Sequence, residues 1–386
     1  MSISPSDIQG ALERDQFVFY YQPKVSFLTG RISGAEALIR WRRDDGAVVQ
    51  PTAFIPLADH NGLTPRITRQ MFPRLVEDFQ KIRAASHHEG LAFNISAEDL
   101  DAPNLVALIR QAISEGRLSA DQLELEITEG TAISENDVIN RSLTGLLAAG
   151  VDLCMDDYGT GFSSLATLNR IPFSALKMDQ SFVMRMMRSP KSATLIKTSI
   201  AMAQLLGIKT VVEGIESERV YSALLHYGCT EGQGYWISRP LPLEEYLDLL
   251  SRDRRWPASP VGMLRMAEMS HNWQYKLLMD VVFEFLKRGQ SGTAAPELLH
   301  ISHDACALGE WYYGAGQALA GEPDFECLEA PHRLMHEICG RIFDAMQSNA
   351  GAKVLHPLLH DLSAQSCKMS GCLHALEAHL LLRELE

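Results

Sequence analysis

Eight short runs of β-type residues punctuate residues 17–238: FVFYYQP (17–23), EALIRW (36–41), LAFNIS (91–96), LELEIT (123–128), DLCMDD (152–157), ALKMD (175–179), TVVEGIE (210–216) and QGYWIS (233–238). Amphipathic stretches such as 104–115 and 193–206 lie between most of them. Strand and helix in alternation predict an α/β fold with a mostly parallel sheet, and eight strands predict a TIM-like (β/α)8 barrel. The first two runs meet across Thr29-Gly30 with no helix between them. An antiparallel first hairpin is therefore expected, which makes the barrel irregular.

Each run after the first contains a residue that is out of place in an apolar core: Glu36, Asn94, Glu126, Asp156 with Asp157, Lys177, Glu213 and Gln233. In such a barrel the C-terminal strand ends form the active-site face. Carboxylates, amides and one ammonium would then share a single mouth. That much buried negative charge is costly unless cations bind there. Oxygen donors without His or Cys favour Mg2+ or Mn2+ over zinc. Adjacent Asp156 and Asp157 allow one carboxylate to bridge two ions, and a two-ion site suits phosphodiester hydrolysis. Taken singly, each residue has a plainer explanation: a solvated strand end, a surface lysine, or a turn whose glycines supply unusual backbone angles. Their recurrence at successive strand ends is what carries the functional reading.

The segments EALIR (36–40), FNIS (93–96), LEITE (125–129), DDYGTGFSSL (156–165), LKMD (176–179), VVEGIE (211–216) and QGYWISRPL (233–241) resemble, in order, the motif series of the EAL family of cyclic-di-GMP phosphodiesterases. The resemblance implies hydrolysis of cyclic-di-GMP to linear pGpG with two Mg2+ or Mn2+ ions. It places Glu36, Asn94, Glu126 and Asp156 on the first ion, and Asp156, Asp157 and Glu213 on the second. Lys177 would orient the attacking water, Glu213 would accept a proton, and Gln233 would meet the water network or scissile phosphate. Gln22, Leu38 and Arg40 would contact substrate, Arg40 through a phosphate. Glu129 would brace the 156–165 loop, which in the family joins the dimer interface to metal binding. Three departures from the family pattern stand out: Tyr158 and Phe162 exchange the usual Phe and Tyr, Asp59 stands where Glu is common, and Val212 replaces a frequent Ala. None of these removes a ligand, so an active enzyme is expected over an inactive cyclic-di-GMP receptor.

Beyond the segment SRDRRWPASPVG (251–262) no β-type alternation appears, and four helices are expected at about 263–288, 295–320, 327–348 and 354–385 in an all-α bundle. The domain reading is thus a barrel over 1–252, a linker over 253–262 and a bundle over 263–386. Leu264, Ala267, His271, Leu278 and Phe285 form a stripe of helical period, which turns His271 inward. His332 and His336 stand four apart on one helix face, a spacing compatible with two ligands to one metal. Any one of these would more simply be a core histidine, and Cys306 an inert buried thiol. SHNWQYK, CALGEWY and HRLMH, however, resemble the chemoreceptor zinc-binding domain. That resemblance implies one Zn2+ held by His271, Cys306, His332 and His336. A closed site of this kind suits sensing, with turnover regulated by zinc or by oxidation of the Cys306 thiolate. His303 reads as a surface histidine, with its place one turn before Cys306 making a supporting group the alternative. Cys367, Cys372 and His374 are expected to pack or face solvent, and Cys154 to lie in the core.

The formal charge of −13 argues against polymeric nucleic acid as a partner but leaves a small anion held by metal ions open. No run approaches the ~18 apolar residues of a membrane span and no export signal is evident. Seven cysteines without framework spacing suggest thiols in a reducing cytoplasm. No other sensory domain is expected ahead of the barrel. Dimerisation follows from both resemblances, and an unidentified protein partner on the bundle is left open. The competing classes are a binding-only effector, a phosphodiesterase for another nucleotide, and a zinc-dependent scaffold.

Overall fold

The structure, a computed structural model, describes residues 3–85, 90–134, 136–159, 165–288, 302–304, 306–348 and 350–383. By internal packing the chain divides into two compact units, Met1–Leu225 with Cys229–Ala258, and His226–Gly228 with Ser259–Glu386.

Among the described residues the first unit contains ten strands: β1 (Phe17–Ser26), β2 (Ile32–Arg42), β3 (Val48–Val49), β4 (Gly90–Asn94), β5 (Leu123–Thr128), β6 (Asp152–Tyr158), β7 (Ala175–Met178), β8 (Lys209–Val212), β9 (Glu231–Gly232) and β10 (Leu241–Pro242). Strands β2, β4, β5, β6, β7, β8 and β9 run parallel in that order, and β1 closes the ring by pairing antiparallel with both β2 and β9. The result is the expected closed barrel with an antiparallel first hairpin. Its turn works because Gly30 takes a φ of 65°, and a Cβ there would fall 2.1 Å from the carbonyl oxygen of Trp256. β3 and β10 are short antiparallel additions.

One strand is shifted from its expected place. QGYWIS is a turn, and the closing strand is the preceding pair Glu231–Gly232. The shift arises because Ile215 donates to the Gln233 carbonyl (3.2 Å) and Trp236 donates to that of Ile215 (2.9 Å), folding the segment against the 213–216 loop. Gly234 is required at that crossing, since a Cβ would lie 2.2 Å from the Ile215 nitrogen.

Alternation along each strand sorts side chains between lumen and exterior. On β5, Leu123, Leu125 and Ile127 are buried on one face while Glu124, Glu126 and Thr128 share the other. Cys154, Ala175 and Val211 form a small apolar cluster of their own. The segment after the barrel is not a free string: Trp256 is buried and donates to Gly30 (2.9 Å), and Tyr221 donates to the Pro257 carbonyl (2.7 Å).

The second unit is helical. Val261–Arg288, Glu329–Gln347 and Ala352–Arg383 are its long helices. The helix expected over 295–320 is not continuous: 303–304 are a turn, 306 is a bend, Ala307–Tyr313 is a short helix and Ala315–Leu319 a 3-10 turn. Residues 295–301 lie outside the described residues. The interruption has a packing cause, because Gly309 sits so close to the His303 carbonyl that a Cβ would lie 1.9 Å away. Leu355, Leu362, Met369, Leu373 and Leu376 recur at helical spacing into a core shared with Leu264, Leu278, Met335 and Ile342. Cys327 and Cys372 form a disulfide, their Cα atoms 6.1 Å apart, which corrects the expectation that Cys372 packs or faces solvent as a thiol. A separation of 45 residues carries no signal of this pairing, which exists only because two helices meet. Cys154 is buried as expected, and Cys367 is exposed.

Candidate active site and second metal-ligand cluster

The acids of the barrel do not merely ring its rim. Glu36 lies mid-strand on β2, and Glu36, Glu126 and Lys177 are 4%, 1% and 1% exposed, inside the mouth rather than at its edge. Lys177 is the hub. Its Nζ stands 2.6 Å from Glu126 Oε2, 2.8 Å from Glu213, 3.0 Å from Glu36 and 3.7 Å from Asp156. The parallel register explains the convergence, since Glu126 pairs with Asn94 on one side and Cys154 on the other, while Thr128 pairs with Asp156. Gln233 follows β9 directly and donates to Glu36 (2.6 Å) and Glu213 (3.2 Å). Asn94 donates to the other oxygen of Glu36 (2.6 Å). Seven of the sequence-predicted residues therefore form one bonded cluster: Glu36, Asn94, Glu126, Asp156, Lys177, Glu213 and Gln233.

Asp157 is exposed and adopts a φ of 60°, a conformation disfavoured for a residue with a Cβ, with its amide on the Asp156 carboxylate (2.8 Å). Such strain persists only where the surroundings fix it, and it clusters at functional sites. Glu129 is buried at the start of the short helix Glu129–Ala132. Of the loop it is expected to brace, 156–165, residues 160–164 lie outside the described residues. Gln22 is buried, donates to the Ser238 carbonyl (3.3 Å), and borders a cavity of about 280 Å3 with Glu213, Glu216, Gln233 and Tyr235. Arg40 is buried near the end of β2 with its guanidinium 5.6 Å from the Tyr20 ring centroid, and Leu38 is half-buried on the same strand.

The charge balance is strained. Burial, then repulsion from Glu36, pushes the Glu126 carboxyl up to about 8, although Lys177 and Lys24 oppose the shift. Burial likewise raises Glu213 to about 7 against the pull of Lys177. Glu36 goes the other way: burial is outweighed by Lys177 and the Gln233 hydrogen bond, which hold it at about 2. Asp157 is raised by burial and by Asp156. The Lys177 ammonium loses hydration on burial, but the surrounding acids keep it charged well above the ordinary lysine range. Glu36, Glu126, Asp156 and Glu213 thus outnumber the buried ammoniums of Lys177 and Lys24. A further sign of a missing partner is Gln233 Oε1, which is buried and accepts no hydrogen bond among the described residues. Oxygen donors around an electron-rich cavity fit hard divalent cations.

The second unit gathers all four residues read as zinc ligands. One potential ligand atom from each of His271, Cys306, His332 and His336 falls within 4.8 Å of the others. Cys306 Sγ is 3.1 Å from His332 Nε2, and the ring of His271 is centred 5.1 Å from that of His332 and 5.9 Å from that of His336. Burial, with His336 beside it, drives the His271 imidazole down to about 3, and burial with His271 does the same to His332. The rings are therefore unprotonated at neutral pH, the form that ligates metal. Three imidazoles and a thiol fit zinc. His303, its ring 6.3 Å from that of His332, stands beside this cluster. His374 lies apart from it, against Glu268 (3.1 Å).

Residues 6–240 match the model of the EAL domain. The chain belongs to the EAL-domain family. Residues 278–343 match the model of the chemoreceptor zinc-binding domain, a stretch that includes Cys306, His332 and His336 but begins after His271. Among curated relatives of this EAL protein are the cyclic di-GMP phosphodiesterases RocR (35% identical over 248 residues, 64% of this chain and 63% of that protein) and NbdA (36% over 262 residues, 68% and 34%), both of Pseudomonas aeruginosa. The chain spans less than two thirds of the length of these relatives. A solved cyclic-di-GMP complex of PaMucR phosphodiesterase is 35% identical with a TM-score of 0.59, covering 62% of this chain and 98% of that one. An EAL-domain protein of Listeria monocytogenes is 30% identical with a TM-score of 0.57, covering 65% and 99%. None of the described helices is long and apolar enough to cross a membrane.

Sequence reasoning missed Lys24. It is 3% exposed on β1 and contacts Glu124 and Glu126. The available signal was a lysine two residues after Gln22 on a strand, hence on the same lumenal face.

Proposed function

We propose that the EAL barrel, residues 1–252, hydrolyses cyclic-di-GMP to linear pGpG with two Mg2+ or Mn2+ ions, and that residues 263–386 regulate it through one Zn2+. The observation that carries the reading is the convergence of Glu36, Glu126, Asp156 and Glu213 on the buried Lys177 in an EAL-family barrel. Glu36, Asn94, Glu126 and Asp156 are assigned to one ion, and Asp156, Asp157 and Glu213 to the other. When bound, the cations supply Lewis acidity to the phosphodiester and acidify the attacking water. Lys177, anchored by the acids around it, orients that water. Glu213, beside Lys177 and the assigned second ion, is the group assigned to accept its proton. Gln233 orders the water and phosphate by the donors that now reach Glu36 and Glu213. Arg40 offers a charged donor to a phosphate at a mouth otherwise full of acids, and Gln22 and Leu38 line the way in. Glu129 supports the loop that follows β6. Four ligands to zinc leave no open position, so His271, Cys306, His332 and His336 suit sensing of zinc, or of oxidants acting on Cys306, rather than a reaction of their own. A homodimer is the expected working state.

The test is cyclic-di-GMP hydrolysis by purified protein with Mg2+ or Mn2+, followed as pGpG, beside Glu36→Ala. Metal-dependent turnover abolished by the substitution is the expected result. Substrate binding with no turnover at any zinc level would overturn the enzymatic assignment in favour of a cyclic-di-GMP receptor. Zinc titration of the rate tests the regulatory half, and identical rates throughout would remove it.

A further inference from the structure

Glu126 is gripped from two sides. Its Oε2 accepts from Lys177 (2.6 Å), whereas Oε1 accepts from Lys24 (3.0 Å), which also reaches Glu124 (2.6 Å). Lys177 has a place in the proposed chemistry. Lys24 has none, yet it is an ammonium buried in the barrel lumen at 3% exposure. Holding a charge there is costly, and the Glu124 and Glu126 carboxylates bonded to it are what offset that cost. Lys24 and Glu124 also border a second cavity of about 140 Å3, lined further by Lys209 and Glu231 but by none of the residues clustered on Lys177.

Glu124, Glu126 and Cys154 bring ligand atoms within 4.8 Å of one another, a grouping that in isolation would suit a metal. The Lys24 ammonium already bonds both carboxylates, so this donor set has a built-in cation. The consequence falls on Glu126. The terminal torsion of a glutamate is soft and roughly two-fold, so a carboxylate held through one oxygen can swing. With Oε1 fixed by Lys24, which is itself braced by Glu124, Oε2 is kept on the side of Lys177, the ammonium around which Glu36, Asp156 and Glu213 converge.

We infer that Lys24 is a positioning residue, which locks one oxygen of Glu126 so that the other is presented to the divalent cation at the opposite mouth. This rests on the reading of Glu126 as a metal ligand. Supporting groups of this kind typically alter metal affinity by about 10–100-fold when removed.

The test uses the full-length, zinc-loaded protein with Mn2+ as probe, its free concentration counted by electron paramagnetic resonance. Lys24→Ala is expected to weaken the tightest Mn2+ by about 10-fold or more. The KM for cyclic-di-GMP at saturating Mn2+ should stay within about two-fold, because Lys24 touches no proposed substrate contact. Added ethylammonium, entering through the basal cavity, should restore Mn2+ affinity. Unchanged affinity in folded Lys24→Ala protein would overturn the inference, as would a loss that ethylammonium fails to reverse. If Lys24→Ala does not fold, Lys24→Gln keeps a donor of similar reach, and it must show a smaller but measurable loss; wild-type affinity there also overturns the inference. Glu126→Gln separates the two ideas. If it leaves Mn2+ affinity intact, Glu126 is no ligand and the site reading itself fails. If wild-type protein binds Mn2+ through Glu126 but turns over no substrate, only the enzymatic assignment falls.

Discussion

The barrel mouth and the histidine cluster of the second unit are both buried polar groupings, and burial acts on them in opposite directions. In the barrel it pushes Glu126 and Glu213 up to about 8 and about 7, so near neutral pH protons compete with metal for the same oxygens. In the bundle it pushes His271 and His332 down to about 3, so the imidazoles are already in their ligating form. Each cluster sheds charge as a low-dielectric site demands. The lesson is that one physical rule makes metal binding proton-coupled at the carboxylates, and at the second cluster leaves the Cys306 thiol as the ligand that must give up a proton.

The sharpest way to break this comparison is to remove one ligand from each side. Glu36→Ala should lower hydrolysis at least ~10³-fold, the scale of losing a central charge-stabilising group, while zinc content by elemental analysis stays unchanged. Loss of zinc from that variant would mean that the two sites are not independent. The double substitution His332→Ala with His336→Ala should abolish zinc retention. It should also lower the bundle's melting temperature by roughly 10 °C, since a saturating ligand contributes about 3–4 kcal/mol and each kcal/mol shifts melting by about 2–4 °C. Metal-dependent hydrolysis should persist in it.

A smaller effect tests substrate recognition. Arg40→Ala should raise KM about 10-fold or more, the cost of a charged hydrogen bond, with Mn2+ affinity unaltered. An unchanged KM would remove Arg40 from the phosphate contacts.

The smallest effect sharpens the comparison itself, through calorimetry of metal-stripped protein. Glu126 and Glu213 have raised folded values, so the stability they confer is complete below the ordinary 4.5 and is lost as pH climbs through about 7 and 8. His271 and His332 have depressed values, so their contribution is complete above the ordinary 6.5 and is lost as pH falls toward about 3. From pH 5 to pH 8 the barrel transition should therefore fall and the bundle transition rise. Saturating Mn2+ should flatten the barrel trend and zinc the bundle trend. Parallel slopes would show that burial does not control both clusters.

Much of this was legible in the chain alone. The period-two pattern of LELEIT places Leu123, Leu125 and Ile127 on one face and Glu124 and Glu126 on the other, because backbone geometry alternates side chains whatever surrounds them. The recurrence of Glu36, Asn94, Glu126, Asp156, Lys177, Glu213 and Gln233 along successive runs named the cluster, and His332 with His336 named a helix face. Only the tertiary structure decided how deep the acids sit and which cation each one meets. The grip of Lys24 and Lys177 on opposite oxygens of Glu126 depends on three strands closing around one lumen. The turn at QGYWIS depends on a loop 20 residues away, and the pairing of Cys327 with Cys372 on two helices meeting. Local pattern follows from local sterics and is written in sequence; contacts between distant segments are set by packing, and appear only when the chain has closed on itself.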